Sequence, residues 1–445
     1  MRPADKRRLV RKAVAPEKKE VARLAGAIWE LAELPLRETE SAALLAAYLR
    51  GHGFKVTWPV KTLPTAFRAV WGTGRPTVAF LGEYDALPDC GVEPGTNGHG
   101  CGHNLLGVAS AAGAVAVARM LAARKKPGRV IYWGCPAEEA IGGKVYMARD
   151  GAFRRLDACL CWHPGSKTCV RAAGGAALDS IVFDFQGQTS HAGGAPEKGR
   201  SALDAAVIMD VAVNYLREHV PENVRIHCVF PDAGTAPNVV PDHARVWYYV
   251  RGTDRKQVDD LVRRVRLCAK GAAMATETTF RSKTISSFHS RLVNDVIAQT
   301  VRENLIAMGG TPRATEADRR RARRIRKDFD FMKGVDLETG TMQGRASSDE
   351  DTVSWLAPLG SFAVACMAEA TRGHHRELTA QGNLPFAYRA TVRAAEVFAA
   401  TAWDLFTDAK RLRKARAEFR RRRKGRPYDP LLPKGLRPST KDIYE

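Results

Sequence analysis

A chain of 445 residues with 45% apolar and 27% charged side chains is long enough for two domains with separate cores, and its composition excludes a disordered or fibrous class. No wholly apolar run reaches the ~18–20 residues of a membrane span, and the charged N-terminus carries no apolar signal core. Nine cysteines at scattered spacings form no secreted disulfide framework, so a cytoplasmic location is expected.

The formal charge of +22 is confined to residues 1–19 (+6), 312–327 (+6) and 410–426 (+10), which leaves the rest of the chain neutral. These segments read as solvated helix faces and tails. Binding of nucleic acid or an anionic surface is the competing reading from a different class. It is weakened because Phe419 is the only aromatic residue in 410–426, which therefore lacks stacking side chains.

In chain order, the spacing predicts helices over 17–34 and 38–51, the second ending in a Gly-His-Gly turn. TVAFLG reads as a buried strand that delivers the polar loop EYDALPD. After the Gly-rich TNGHGCGHN comes a helix of small residues suited to close packing on a sheet. GRVIYWGCPAEEA and LDACLCWHPG are two more apolar strands, the first leading to carboxylates and the second to His163. Strands alternating with helices, each with polar chemistry at its exit, point to an α/β/α domain with its site at the strand ends. Residues 181–293 read β-α-β-β-α-β, an inserted α+β unit of ferredoxin-like order with its helices on one face. Domain boundaries are thus expected at 1–180 and 294–425 for the first domain and 181–293 for the second, with a tail at 426–445. Residues 312–333 are expected to form a basic surface excursion.

Cys101 and His103 stand two residues apart in a loop whose glycines let both side chains face one point. Alone, such a pair is a weak signal. Glu138 and Glu139 follow a buried strand, where adjacent carboxylates repel unless a cation compensates; one could bind metal while the other moves a proton. His163 ends a third strand, and His374 and His375 lie in a later loop. Thiolate, imidazole and carboxylate together are a ligand set for zinc- or manganese-class ions.

EYDALP, NGHGCGHNLLG, GCPAEE, WHP, SHAGGAPEKGRSALDA and APNVVPD occur in an order that resembles the M20 family of metallopeptidases and amidohydrolases, over residues ~20 to 408. KGAAMATETT and PYDPLLPKGLRPS are similar to segments of its p-aminobenzoyl-glutamate hydrolase B-type group. The resemblance implies a catalytic domain with an inserted lid and dimerisation domain, and one or two divalent ions, with Mn2+ slightly preferred over Zn2+. Cys101 would bridge the ions, His103, Glu139, His163 and His374 would complete the shell, and Asp85 would sit behind a ligand. Glu138 would be general base and then general acid. His191 would stabilise an oxyanion in a neighbouring subunit's site, and Asn238 and Arg251, taken as spanning a hairpin, would grip the substrate carboxylate. Register places the last ligand at His374, with His375 as fallback.

The implied reaction is hydrolysis of an amide in an aromatic acyl-amino acid such as p-aminobenzoyl-glutamate, by a homodimer with or without an A-type partner subunit. TRGHHREL and SSDEDTVSW depart from the group's pattern. They keep open hydrolytic deamination of an aromatic amine such as 5-nitroanthranilate on the same fold.

Overall fold

The computed structural model describes residues 2–338 and 346–441; the last four residues of the expected 426–445 tail lie outside the described residues. The strands in chain order are β1 (Lys55–Thr57), β2 (Phe67–Trp71), β3 (Thr77–Gly82), β4 (Arg129–Gly134), β5 (Ala158–Gly165), β6 (Cys169–Val170), β7 (Ala177–Gln186), β8 (Arg225–Asp232), β9 (His243–Gly252), β10 (Thr279–Phe288) and β11 (Leu359–Ala365). The chain divides into two compact units.

The first unit comprises Met1–Gly174, Leu292–Gln343 and Thr352–Pro430. Its seven-stranded sheet has the order β1-β2-β4-β3-β5-β11-β6. The central β4, β3, β5 and β11 are parallel, whereas β1, β2 and β6 pair antiparallel at the edges. Every residue of β3 and β11 is buried, which is why these strands are continuous apolar runs rather than alternating ones.

Helix His103–Ala123 is, by length and a mean hydropathy of 1.8, apolar enough to cross a membrane, although Ser110 and Arg119 interrupt its apolar run. It is instead the central helix of this core, and its small side chains let neighbours approach closely. A Cβ on Gly113 would lie 2.6 Å from the Phe398 Cβ of helix Pro385–Thr407.

The basic segments are docked helices rather than tails. Helix Pro3–Val14 buries Val10 and Val14, and Lys6 Nζ reaches Asp404 Oδ2 at 2.7 Å. This helix precedes the one expected over 17–34, which is a single element at Lys18–Leu31. Helix Ala409–Arg423 buries Leu412, Ala415 and Glu418. The expected excursion at 312–333 contains helix Glu316–Ile325, started by a Thr315–Asp318 capping box. Phe329 and Phe331 are buried beside it with Phe386. One or two apolar residues per helical turn suffice to seat these elements while arginines cover the outside.

The second unit comprises Gly175–Arg291, Gly344–Asp351 and Leu431–Glu445. Its antiparallel sheet has the order β10-β7-β9-β8, and burial alternates strictly along β9. The buried face carries Ala244, Val246, Tyr248 and Val250 against helices Ala202–Leu216 and Arg255–Ala275. This is the β-α-β-β-α-β order expected, with both helices on one face. The segment VVPDHARVWYYVR is not itself a hairpin: Asn238 lies in the loop before β9, and Arg251 near the end of that strand.

Candidate metal centre

Loops that leave the same end of neighbouring parallel strands gather residues distant in sequence. Glu83 and Asp85 follow β3, Glu138 and Glu139 follow β4, His163 lies near the end of β5, and His374 lies in the loop after β11. Cys101 and His103 come from the loop that leaves β3 and opens helix His103–Ala123. Three turns that aim these groups need left-handed backbone: Gly102 (φ 78°), Ala137 (φ 57°) and His374 (φ 52°). Strain of this kind persists only where the surroundings hold it. Ala137 N–H is held by Glu38 Oε1 at 2.8 Å, and His374 N–H by the Gly100 carbonyl at 2.8 Å.

The ligand-type atoms fall into three overlapping groups, each within 4.8 Å: Cys101, His103 and His163; Cys101, Glu139 and His374; His103, Glu138 and Glu139. Cys101 Sγ lies 3.3 Å from His163 Nε2. Glu139 turns Oε1 toward His103 Nε2 (3.8 Å) and Oε2 toward His374 Nε2 (3.6 Å). Asp85 accepts from His103 Nδ1 at 2.9 Å and from the Glu139 backbone N–H at 2.9 Å. His163 Nδ1 donates to the Pro164 carbonyl at 2.7 Å. Both imidazoles thus spend their Nδ1 protons on protein acceptors, which leaves each Nε2 lone pair for an ion. His375 instead accepts from the Glu377 N–H at the start of helix Arg376–Gly382.

Burial would raise Asp85, but His103 outweighs it and holds its carboxyl below the usual range. Burial opposes a charged His103, yet Asp85 and Glu83 lift its pKa well above normal. Burial pushes the Cys101 thiol up, helped by the Glu139 charge, and burial also raises Glu139. Cys101, Glu139 and His103 thus favour their protonated forms while Asp85 favours its charged one, and a divalent ion would displace those protons. The donor chemistry fits such an ion. His103 Nε2 is buried and takes part in no hydrogen bond among the described residues.

His191, Asn238 and Arg251 belong to the second unit. His191 is exposed, its Nδ1 accepting from the Gly194 N–H at 2.9 Å; its backbone pairs with Val239, next to the exposed Asn238. Arg251 lies over the Tyr249 ring at 5.5 Å. Glu350 and Asp351 of SSDEDTVSW are buried and paired with Arg291.

Sequence reasoning missed Glu83, Lys144 and Glu38, all buried. Glu83 Oε1 takes Lys144 Nζ at 2.6 Å while Oε2 lies 3.2 Å from His103 Nε2. The available signal was a Glu directly after a buried strand, in GEYDALP.

Residues 174–276 match a family model described as a peptidase dimerisation domain. The chain is 33% identical to the B-type component of p-aminobenzoyl-glutamate hydrolase from Escherichia coli K12, over 97% of this chain and 98% of that one. It is 30% identical to the Xaa-Arg dipeptidase of Mus musculus, over 89% and 88%. Among solved structures, an aminobenzoyl-glutamate utilization protein from Klebsiella pneumoniae superposes with a TM-score of 0.62 at 18% identity, covering 90% of this chain and 99% of that one. A dinuclear metal-binding M20-family peptidase from Bacillus subtilis superposes with a TM-score of 0.57 at 18% identity, covering 87% and 98%.

Proposed function

Because the chain belongs to the M20 family and is a hydrolase of carbon–nitrogen bonds, we propose that it hydrolyses the amide of an aromatic acyl-amino acid such as p-aminobenzoyl-glutamate, in a metal-dependent reaction. The observation that carries this reading is the convergence of Cys101, His103, Glu139, His163 and His374 at adjacent strand ends, with Glu138 among them. Those five residues would hold one or two divalent ions, with Cys101 common to both sites and Mn2+ ahead of Zn2+.

Bound in this donor set, a divalent ion would supply Lewis-acid chemistry, making water more acidic and a carbonyl more electrophilic. Glu138 takes a proton from the attacking water and returns it to the departing amine nitrogen. Asp85 fixes the His103 ring and the Glu139 backbone. His191 is assigned to the oxyanion in the site of a dimer partner, and Asn238 with Arg251 to the substrate carboxylate, where a planar guanidinium suits a two-oxygen anion.

The matched dimerisation domain supports a homodimer formed through the second unit, as do the exposed Val207, Ile208, Val211 and Tyr215 on helix Ala202–Leu216. The naming of the Escherichia coli relative as one of a lettered pair supports an A-type partner in the assembly. All nine cysteines are free, which supports a reducing, cytoplasmic compartment.

The test is a product assay with pure Mn2+-loaded protein given p-aminobenzoyl-glutamate and, separately, 5-nitroanthranilate. Free glutamate from the first is expected; ammonia from the second with no glutamate from the first would move the assignment to a deaminase. Glu138→Gln should lose about 10²–10⁴ in turnover with metal content unchanged, and an active variant would remove Glu138 from its role.

A further inference from the structure

The Glu83–Lys144 pair is costly where it stands. Both side chains are buried, Lys144 completely, and Nζ meets Oε1 at 2.6 Å. Taking two such charges out of water costs several kcal/mol per ion, and a well-packed apolar pair of the same volume is often no less stable. The pair's position is more informative than its strength. Lys144 occupies one carboxylate oxygen of Glu83, which leaves Oε2 at 3.2 Å from His103 Nε2.

That second contact is close but is not a hydrogen bond, since His103 Nε2 takes part in none among the described residues. With Asp85 on Nδ1, the ring turns Nε2 toward the carboxylate oxygen. A shared ion accounts for the approach. Donor atoms at ~2.1 Å from one ion stand ~3.0 Å apart in octahedral and ~3.4 Å apart in tetrahedral geometry. The observed 3.2 Å falls between these values.

We propose that Glu83 Oε2 is a further ligand of the ion held by His103, and that Lys144 is the fixed counter-charge that presents this oxygen and offsets the added carboxylate. The inference rests on the metal-centre reading above. It makes the two ion positions unlike. The one at His103 would gain an extra hard oxygen donor, whereas the other would gain none. Hard oxygen donors favour manganese-class ions over zinc, so Glu83 would set metal preference at the His103 position.

The test is Mn2+ and Zn2+ titration by calorimetry, with elemental analysis, on full-length wild type, Glu83→Gln and the double variant Glu83→Gln/Lys144→Met. The double variant removes both charges together, so no uncompensated charge stays buried, and it decides the matter where the single variant does not fold. Two ions are expected in wild type. In either folded variant one Mn2+ should be weakened by about 10- to 100-fold and the other kept, with the weakened position shifted toward Zn2+. Folded variants that bind both ions with wild-type affinity and preference would overturn the assignment of Glu83. A wild-type protein that binds no divalent ion would instead overturn the metal centre itself.

Discussion

Glu38 is wholly buried, with Oε1 accepting from the Ala137 N–H and Oε2 from the Thr65 hydroxyl, both at 2.8 Å. Burial, with the Asp85 charge adding to it, raises its carboxyl from 4.5 to about 8. Between those two pH values the folded chain keeps a proton that the unfolded chain has released. The stability tied to that proton is fully present below pH 4.5 and is lost as pH rises to about 8. At about 1.4 kcal/mol per pH unit, the loss accumulates to roughly 5 kcal/mol.

Glu38→Gln keeps the shape and an oxygen for Ala137 but has no proton to lose. Urea unfolding of metal-stripped wild type and variant, followed by circular dichroism, should show near-equal stability around pH 4.5. The variant should gain on wild type by about 1.4 kcal/mol per pH unit up to pH 8. Titrating groups distant from Glu38 are common to both proteins and cancel in the difference. A difference that stays flat from pH 5 to pH 8 would show that Glu38 is ionised in the folded chain, with its two hydrogen bonds outweighing burial.

Glu418 accepts from the backbone N–H groups of Asp295 and Val296 at 3.0 Å each, and also takes Arg422 Nε at 2.8 Å. Glu418→Ala should therefore lower unfolding free energy by about 1–2 kcal/mol, because it removes the acceptor of two part-buried hydrogen bonds at a helix start; a urea midpoint within error of wild type would contradict this role. Gly102 has φ 78°, and a Cβ there would lie 2.7 Å from Pro164 Cγ. Gly102→Ala should shift Cys101 and His103 together and weaken Mn2+ binding by about 10-fold or more, and unchanged calorimetric affinity would refute it.

The central strands were legible because burial on both faces makes parallel strands continuous apolar runs. TVAFLG coincides with β3, and the lid's strand and helix order was equally open to reading. Cys101, His103, Glu138, Glu139 and His163 stood out because polar residues at the ends of such runs have no packing reason to be there. Glu83 stands at the same kind of position and was passed over, whereas Lys144 and Glu38 gave no signal, since a charged residue is ordinarily exposed and nothing local reveals that it is buried. The docking of the basic helices was hidden for a related reason. Val10 and Val14, or Leu412 and Ala415, are few among many arginines, and only tertiary contact shows that they anchor the helix.

The central claim is that the converged thiol, imidazoles and carboxylates form a hydrolytic metal site. The most direct measurement is glutamate release from p-aminobenzoyl-glutamate by protein stripped with a chelator, verified metal-free by elemental analysis, and then reloaded with Mn2+. Turnover should vanish on stripping and return on reloading, and Glu139→Gln should not recover it. Verified metal-free protein that still releases glutamate at the starting rate would contradict the account.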